Sequence, residues 1–472
     1  METAAPAIRR GAQATLAVLT LDAVAYALLQ SSVTPAVPAI QRSLHASATA
    51  SAWVITAFLL TAAIATPIAG RLGDLHGKQR VLTIVLGLMV AGTLLAAVSR
   101  SLGVLIAARG IQGVGGAVFP LAFGIVSDEL PRERVSSGIG WVSAMLGVGT
   151  TAGIVVSGPI VAGFGYEALF WMALVPLAIA AVATAVAIPP SPARGAGGVH
   201  WGAATLLCAG LGAALLAITQ APSRGWGAAE TLLLAAASLV LLAAWVAVEL
   251  TAREPLVDMR MLRRRAVWTT NVAGLLLAVG MFCAFILIPQ LAVLPRSNGV
   301  GLGLGQSAAG LLLVPAAAMM LATGMGLGAF ERRFGLRAAL IGGAVLSVVS
   351  FVLLAVAHDH VWEIAVAALI SGGGTGLALA AMPSLIVASV PPSQTGVATG
   401  MNTVTRWVGG AFGSQVAASI LAGSAGGSGL PTDAGFTTAF AVTAAVLAVA
   451  AVATLAVPRA PGAPAAPAVA LA

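Results

Sequence analysis

The chain has 472 residues, 59% of them hydrophobic and only 8% charged, with a net charge of +8 and a mean hydropathy of +1.02. Soluble domains carry about 25% charged residues, so this composition excludes a soluble globular protein, and the apolar runs are too long for transmembrane barrel strands. In a soluble protein the positive charge would suggest nucleic acid; here basic residues gathering in loops on one side of a membrane explain it, so no nucleic-acid partner is expected and the lipid bilayer is. Lys78 is the only lysine and every other basic residue is Arg, a bias that fits a GC-rich bacterial genome. Cys208 and Cys283 lie inside apolar runs and read as small apolar residues, not as a disulfide. None of the five histidines lies deep in such a run and no Cys/His cluster has metal-ligand spacing. No metal, cofactor or catalytic residue is expected.

The N-terminal METAAPAIRRG precedes a run longer than a signal-peptide core, which reads as a retained first span. At about 20 apolar residues per span, the chain divides into about fourteen helices. Six lie near 13–38, 48–69, 80–99, 102–126, 136–163 and 167–188, forming an N-terminal unit over 13–190. The unit 191–250 is a linker with two extra spans near 201–219 and 228–249, entered through the Pro/Gly-rich stretch 189–200. Residues 251–265, TAREPLVDMRMLRRR, form a basic amphipathic segment expected at the cytoplasmic surface. Six more spans near 267–294, 306–330, 336–357, 361–390, 394–422 and 436–457 make a C-terminal unit over 266–457. The Pro/Ala-rich tail 458–472 is expected to be disordered.

With the N-terminus inside, seventeen of the 23 basic residues fall on the inner side, and only Arg42, Arg100, Arg224 and Arg296 on the outer side. That asymmetry predicts an even number of spans and two cytoplasmic termini. The layout of six, two and six spans predicts an internal repeat. GRLGDLHGKQR, Gly70 to Arg80, meets a degraded copy in GAFERRFGLR, Gly328 to Arg337: the glycine spacing and the positive charge persist, but Arg332 stands in the place of Asp74.

Polar residues inside spans are the site candidates. Arg109 lies within the fourth span, where a charge costs at least ~2.5–3.5 kcal/mol and must find a partner. Arg406 lies about twelve residues into its own span, with Asn402 one turn before it. Either arginine serves a cavity or bonds backbone carbonyls as a structural cation. Asp22, Tyr26, Gln30 and Thr34 recur every fourth residue along the first span and form a polar stripe. Asp22 is the one acid placed well inside a span. By helix rise it and Arg109 both approach the midplane, where helix rotation and tilt decide whether they meet. Asp22 then either exchanges a proton in a cavity or stands as a solvated charge in the inner vestibule. Gln112, Gln290 and Asn271 read first as interhelical hydrogen bonds. Gly140, Gly149, Gly153 and Gly158 space out along the fifth span and allow close helix contact.

These stretches resemble the major facilitator superfamily. Gly70, Leu72, Asp74, Gly77, Lys78 and Arg80 fill its pattern G-x-L-x-D-x-x-G-(K/R)-x-(K/R) between helices 2 and 3, and Leu105, Arg109, Gln112 and Gly113 fill L-x-x-x-R-x-x-Q-G. The fifth-span glycines match the antiporter pattern G-x8-G-x3-G-P-x-x-G-G in part, with Ile154 in place of the proline and Ser157 in place of a glycine. SSVTPAVPAIQRSL resembles the end of helix 1 in the fourteen-span drug:proton antiporter branch, although Leu29 stands where that branch carries an acid.

The resemblance implies an all-α membrane protein: two six-helix bundles related by a pseudo-twofold axis around a central cavity, plus two extra helices. It implies a monomer that exports small amphipathic, drug- or antibiotic-like compounds across a bacterial inner membrane in exchange for protons, the bundles rocking to give alternating access. Asp22 and Arg109 are then the expected proton-coupling residues, and Tyr26, Gln30, Gln112, Asn402 and Arg406 the expected cavity residues. Gly70, Asp74, Gly77, Lys78 and Arg80 form a latch between bundles. The summed charge of Asp22, Arg109 and Arg406 favours neutral, zwitterionic or anionic cargo over dications. An uncoupled facilitator or importer of a small metabolite is the alternative. A membrane enzyme would need carboxylate or His clusters that these short loops lack, and a sensor would need a soluble domain.

Overall fold

In the computed structural model the described residues are 5–191, 198–252, 254–296, 301–424 and 430–458. Arg194, Arg253 and the tail from Arg459 onward lie outside them. No strand occurs among the described residues.

The first span is α1 (Ala5–Ser32) and α2 (Val37–Ser43), joined by a 3-10 turn at Thr34–Ala36. Pro35 and Pro38 lack the N–H donors that would carry one α-helix through. α3 (Ala48–His76) starts on the Ser47 hydroxyl, which accepts from the Ala50 N–H at 3.2 Å, and stops at Gly77. α4 (Lys78–Ala97) follows directly. The fourth span is α5 (Leu102–Gly113) and α6 (Val118–Glu129), joined through Val114–Ala117, where Gly115 faces Met89 and Tyr26 and Gly116 faces Thr66 and Ala62. α7 (Arg132–Phe164) and α8 (Glu167–Ala187) complete this half.

The extra pair is α9 (Trp201–Arg224) and α10 (Ala229–Thr251). The segment after it contains one short helix, α11 (Met259–Leu262), opened by the Asp258 carboxylate. The second half comprises α12 (Arg265–Val293), α13 (Gln306–Leu311) with α14 (Val314–Phe334), α15 (Leu336–Val356), α16 (Val361–Ser389), α17 (Thr395–Gly423) and α18 (Asp433–Thr454).

Among the described residues thirteen spans are long and apolar enough to cross a bilayer. The fourteenth, α17, is as long as most of them but rich in Gly and Thr and carries Asn402, Arg406 and Gln415, which an average of hydropathy penalises. It runs against α12 and α3, so its polar face is covered by protein.

Two apolar cores form, one from α1–α8 and one from α12–α18. In the first, α1 lies between α7 and α8, and α4 packs on α5 and α8; in the second, α12 packs on α17 and α18, and α16 on α14 and α15. The halves meet mainly where α17 packs on α3 and α6 and where α7 packs on α14 and α16. α9 leans on both α3 and α17. Leu256, Val257, Met259 and Met261 join a third apolar cluster with α9, α16 and α17, so the basic segment straps the extra pair to the second bundle. Large apolar side chains such as Val186, Leu239 and Val452 lie exposed on the outside, as expected where the solvent is lipid.

Candidate functional site

The contact between bundles at the Gly70 loop is built from glycines and one carboxylate. A Cβ on Gly70 would lie 2.6 Å from the Gly396 carbonyl oxygen, so only glycine lets α3 reach the start of α17. Gly77 turns the chain with φ +94°. Asp74, fully buried, accepts from the backbone N–H of Gly396 through Oδ1 and of Val397 through Oδ2, each at 3.1 Å. These are free donors of the first turn of α17, where a carboxylate also meets the positive end of the helix dipole. Lys78, only 1% exposed, donates to Asp128 Oδ2 at 2.7 Å and lies 3.8 Å from Asp74 Oδ1. Asp128 sits beyond the end expected for the fourth span, so sequence reasoning passed it over as a loop residue. Arg80, expected in the latch, is exposed and joins none of these contacts.

Arg109 forms a second buried cluster. Its Nε donates to the Val54 carbonyl at 3.1 Å and its Nη1 to Gln112 Oε1 at 2.7 Å, and its guanidinium stacks 4.3 Å over the Phe58 ring. Gln112 Nε2 donates to Thr93 Oγ1 at 3.1 Å. Asp22 is fully buried and elsewhere: both carboxylate oxygens take the Thr184 hydroxyl, at 2.8 and 3.1 Å, in the α1–α8 contact. The Thr184 carbonyl accepts from Gln79 Nε2, so Asp22 communicates with the residue next to Lys78. Asp22 and Arg109 therefore do not meet: among the described residues no hydrogen bond or ion pair joins them. A step of four residues drifts about 40° around a helix. Asp22 consequently faces α8, while Tyr26 is buried between Phe58 and Phe119.

Two adjoining clefts open in the second bundle, sharing Met281 and Thr375. The larger holds about 390 Å³ of empty space, walled by α12, α14 and α16 and faced across the bundle interface by Gly147 and Thr151 of α7. The smaller, about 270 Å³, reaches Arg406. Of the expected cavity residues, Arg406 alone lines a cleft. Tyr26 and Gln112 belong to the core of the first bundle, Gln30 is half-buried off both clefts, and Asn402 donates to Asn271 Oδ1 at 3.0 Å. Gln112 and Asn402 take partners on neighbouring helices, Thr93 and Asn271, as polar groups in a bilayer do, and are withdrawn from the cavity.

The α7 glycines serve close packing on two sides. Gly149 and Gly153 lie against Ala27, Leu28 and Ser31 of α1, and Gly140 lies against Gly324 of α14. Gly158 is only half-buried.

The family model "Major Facilitator Superfamily" matches residues 19–414 and 302–470. The tetracenomycin C resistance and export protein of Streptomyces glaucescens is 28% identical over 445 residues, covering 90% of this chain and 78% of that protein. The multidrug resistance protein Stp of Mycobacterium tuberculosis is 25% identical over 407 residues, 83% of this chain and 72% of the relative. The probable actinorhodin transporter of Streptomyces coelicolor is 27% identical over 413 residues, 83% and 69% of the two chains. The human organic anion transporter MFSD10 shares the fold with a TM-score of 0.66 at 17% identity over 95% of this chain and 99% of its own. The proton:xylose symporter XylE does so with a TM-score of 0.66 at 14% identity over 96% and 97%. The chain belongs to the major facilitator superfamily and is a multi-pass membrane transporter of small molecules, not an enzyme.

Proposed function

We propose that the protein exports small amphipathic compounds of the drug or antibiotic class by proton antiport. Residues 13–190 and 266–457 act as the two rocking bundles, and 191–250 as an accessory pair. The names of its bacterial relatives, which export or resist antibiotics and drugs, support that cargo. The arginine bias supports placing both termini and the Gly70 latch on the cytoplasmic side of a bacterial inner membrane, where the protein works as a monomer.

The observation that carries the reading is the Asp74 contact. Two hydrogen bonds from backbone N–H groups to Asp74 and a glycine-to-glycine touch, with the packing of α17 on α3 and α6 around them, hold the bundles together on this face. They break when the bundles rock, and access on this side opens. Asp22 is the carboxyl that exchanges the proton: it is buried, holds a single hydroxyl, and among the described residues has no cation in contact. A charged carboxyl in that position is costly to bury, so its proton follows whether water reaches the α1–α8 contact. Through Thr184 and Gln79 that exchange acts on α4 next to the latch. Arg109, sealed by Val54, Gln112 and Phe58, keeps the first bundle rigid during the exchange.

The test uses proteoliposomes loaded with a pH-sensitive dye, with wild type and Asp22→Asn compared on candidate cargo. Cargo-evoked proton flux is expected in wild type and absent from the variant. Cargo flux without proton flux in wild type would leave an uncoupled facilitator, the reading that Leu29 favours. Proton flux surviving in the variant would remove Asp22 from the mechanism.

A further inference from the structure

We propose that the cargo binds as an amphipathic monoanion in the paired clefts of the second bundle, its charge on Arg406 and its apolar body against Met281, Phe285, Met320 and Met382. This names the substrate class of the transport site and rests on the export reading above.

The charge balance around Arg406 carries the inference. Its Nη2 donates to Thr403 Oγ1 at 3.2 Å, a neutral partner from its own helix. Its Nε is shut off from solvent and has no hydrogen-bond partner. Among the described residues no carboxylate lies within ion-pair distance of it: Asp22 is held by Thr184 in the first bundle, and Asp74 faces Lys78 and the start of α17. The titratable group facing it is the Tyr26 phenol, which faces Arg109 as well. The Tyr26 hydroxyl itself has no hydrogen-bond partner among the described residues. Arg109 is satisfied by a carbonyl, an amide and a ring, whereas Arg406 opens into a cleft.

A guanidinium in the low-dielectric interior gains most from an anion that takes its N–H groups in pairs, as carboxylates and phosphates do. A cation in the same cleft meets like charge with no acid to offset it. The rest of the lining selects the remainder of the molecule. Apart from Thr and Ser hydroxyls it is Ala, Gly, Ile, Leu, Met and Phe, and methionine side chains adapt to differently shaped apolar bodies. The arrangement fits one acidic group attached to a planar or compact hydrocarbon body.

Three probes with one apolar body separate the charge from the rest: 1-pyrenebutyrate, 1-pyrenebutanol and 1-pyrenebutylamine. Binding to the full-length protein in lipid nanodiscs is read by energy transfer from tryptophan to pyrene, with nanodiscs lacking the transporter subtracted. The butyrate is expected to bind about tenfold more tightly than the alcohol and the amine, the scale of one charge-assisted contact. Arg406→Gln is expected to bring the butyrate level with the alcohol while leaving the alcohol unchanged, and Arg406→Lys to keep part of the preference. An alcohol or amine that binds wild type as well as the butyrate overturns the proposal, as does a preference that survives Arg406→Gln. The wild-type ranking decides even if that variant fails to fold. Binding needs no proton gradient, so a failure of antiport leaves these affinities in place, and equal affinities leave antiport standing while removing the anion.

Discussion

The Gly70–Arg80 loop and its copy, Gly328–Arg337, share their shape and differ in their chemistry. Each turns on a glycine with positive φ, +94° at Gly77 and +83° at Gly335. Each brings a glycine against the opposite bundle: Gly70 against Gly396, and Gly328 against Ser137, where an added Cβ would lie 2.8 Å from the serine Cβ. The same offset sets Lys78 and Asp128 over Leu336 and Ile386, and all four are buried or nearly so. The first bundle therefore holds an ion pair where the second holds two apolar side chains. Close approach between bundles is needed on both sides of the pseudo-twofold axis. The electrostatic hold exists on one, so the α3–α17 contact is clamped by charge and the α7–α14 contact by packing alone.

The largest effect should come from forcing the first copy toward the second. Lys78→Leu takes the ammonium away from both Asp128 and Asp74, and breaking a buried pair costs about 3–5 kcal/mol. Lys78→Leu combined with Asp128→Ile, the second bundle's own solution, should recover the part of that loss that belongs to Asp128, since apolar replacement of both partners is close to neutral, while Asp74 keeps its two N–H donors and loses the Lys78 charge 3.8 Å away. Thermal unfolding of the purified proteins measures both. A single variant as stable as wild type would mean that the pair contributes nothing, and a double variant no better than the single would break the equivalence of the two sites.

Asp74→Asn comes next. It keeps the shape but removes the charge that the Gly396 and Val397 donors face, and hydrogen bonds to charged groups contribute about 1.5–3 kcal/mol. The face should open: spin labels at the exposed positions 76 and 392, in a background lacking Cys208 and Cys283, should show a broader and longer distance distribution than in wild type. An unchanged distribution would assign the closed state to packing.

The sequence displayed one side of this contact and hid the other. Gly70, Asp74, Gly77 and Lys78 were legible because charges and glycines stand out in an apolar chain. The partners of Asp74 are backbone N–H groups, which no residue type announces. Asp128 was within reach of the sequence, as an acid one turn past an apolar run opposite the only lysine. The membrane-spanning helices were legible from apolar length. Asp22 stood out as the one acid inside a span, but the helix rotation that turns it to Thr184 and away from Arg109 is not written in the spacing. The clefts were invisible: Met281, Phe285 and Met320 look in the sequence like any lipid-facing residue, and only packing shows which way they point.

The smallest effect is expected from restoring the missing acid of the copy with Arg332→Asp. Asp74 works because α17 begins at Thr395, so the N–H groups of Gly396 and Val397 belong to the first turn and have no carbonyl of their own helix to bond. The residues at the same offset in the first bundle are Gly138 and Ile139. There α7 has already begun at Arg132, so those N–H groups bond to the carbonyls four residues earlier. An acid at position 332 meets a helix interior, with no donors to accept from and little of the dipole left to attract it. Position 332 is also exposed, and exposed substitutions of this kind stay within about 0.5 kcal/mol. Spin labels across the α7–α14 contact should therefore read the same distances in Arg332→Asp as in wild type. A tightening there as large as the loosening in Asp74→Asn would show that the acid alone makes a latch; otherwise the asymmetry lies in where the opposite helix begins.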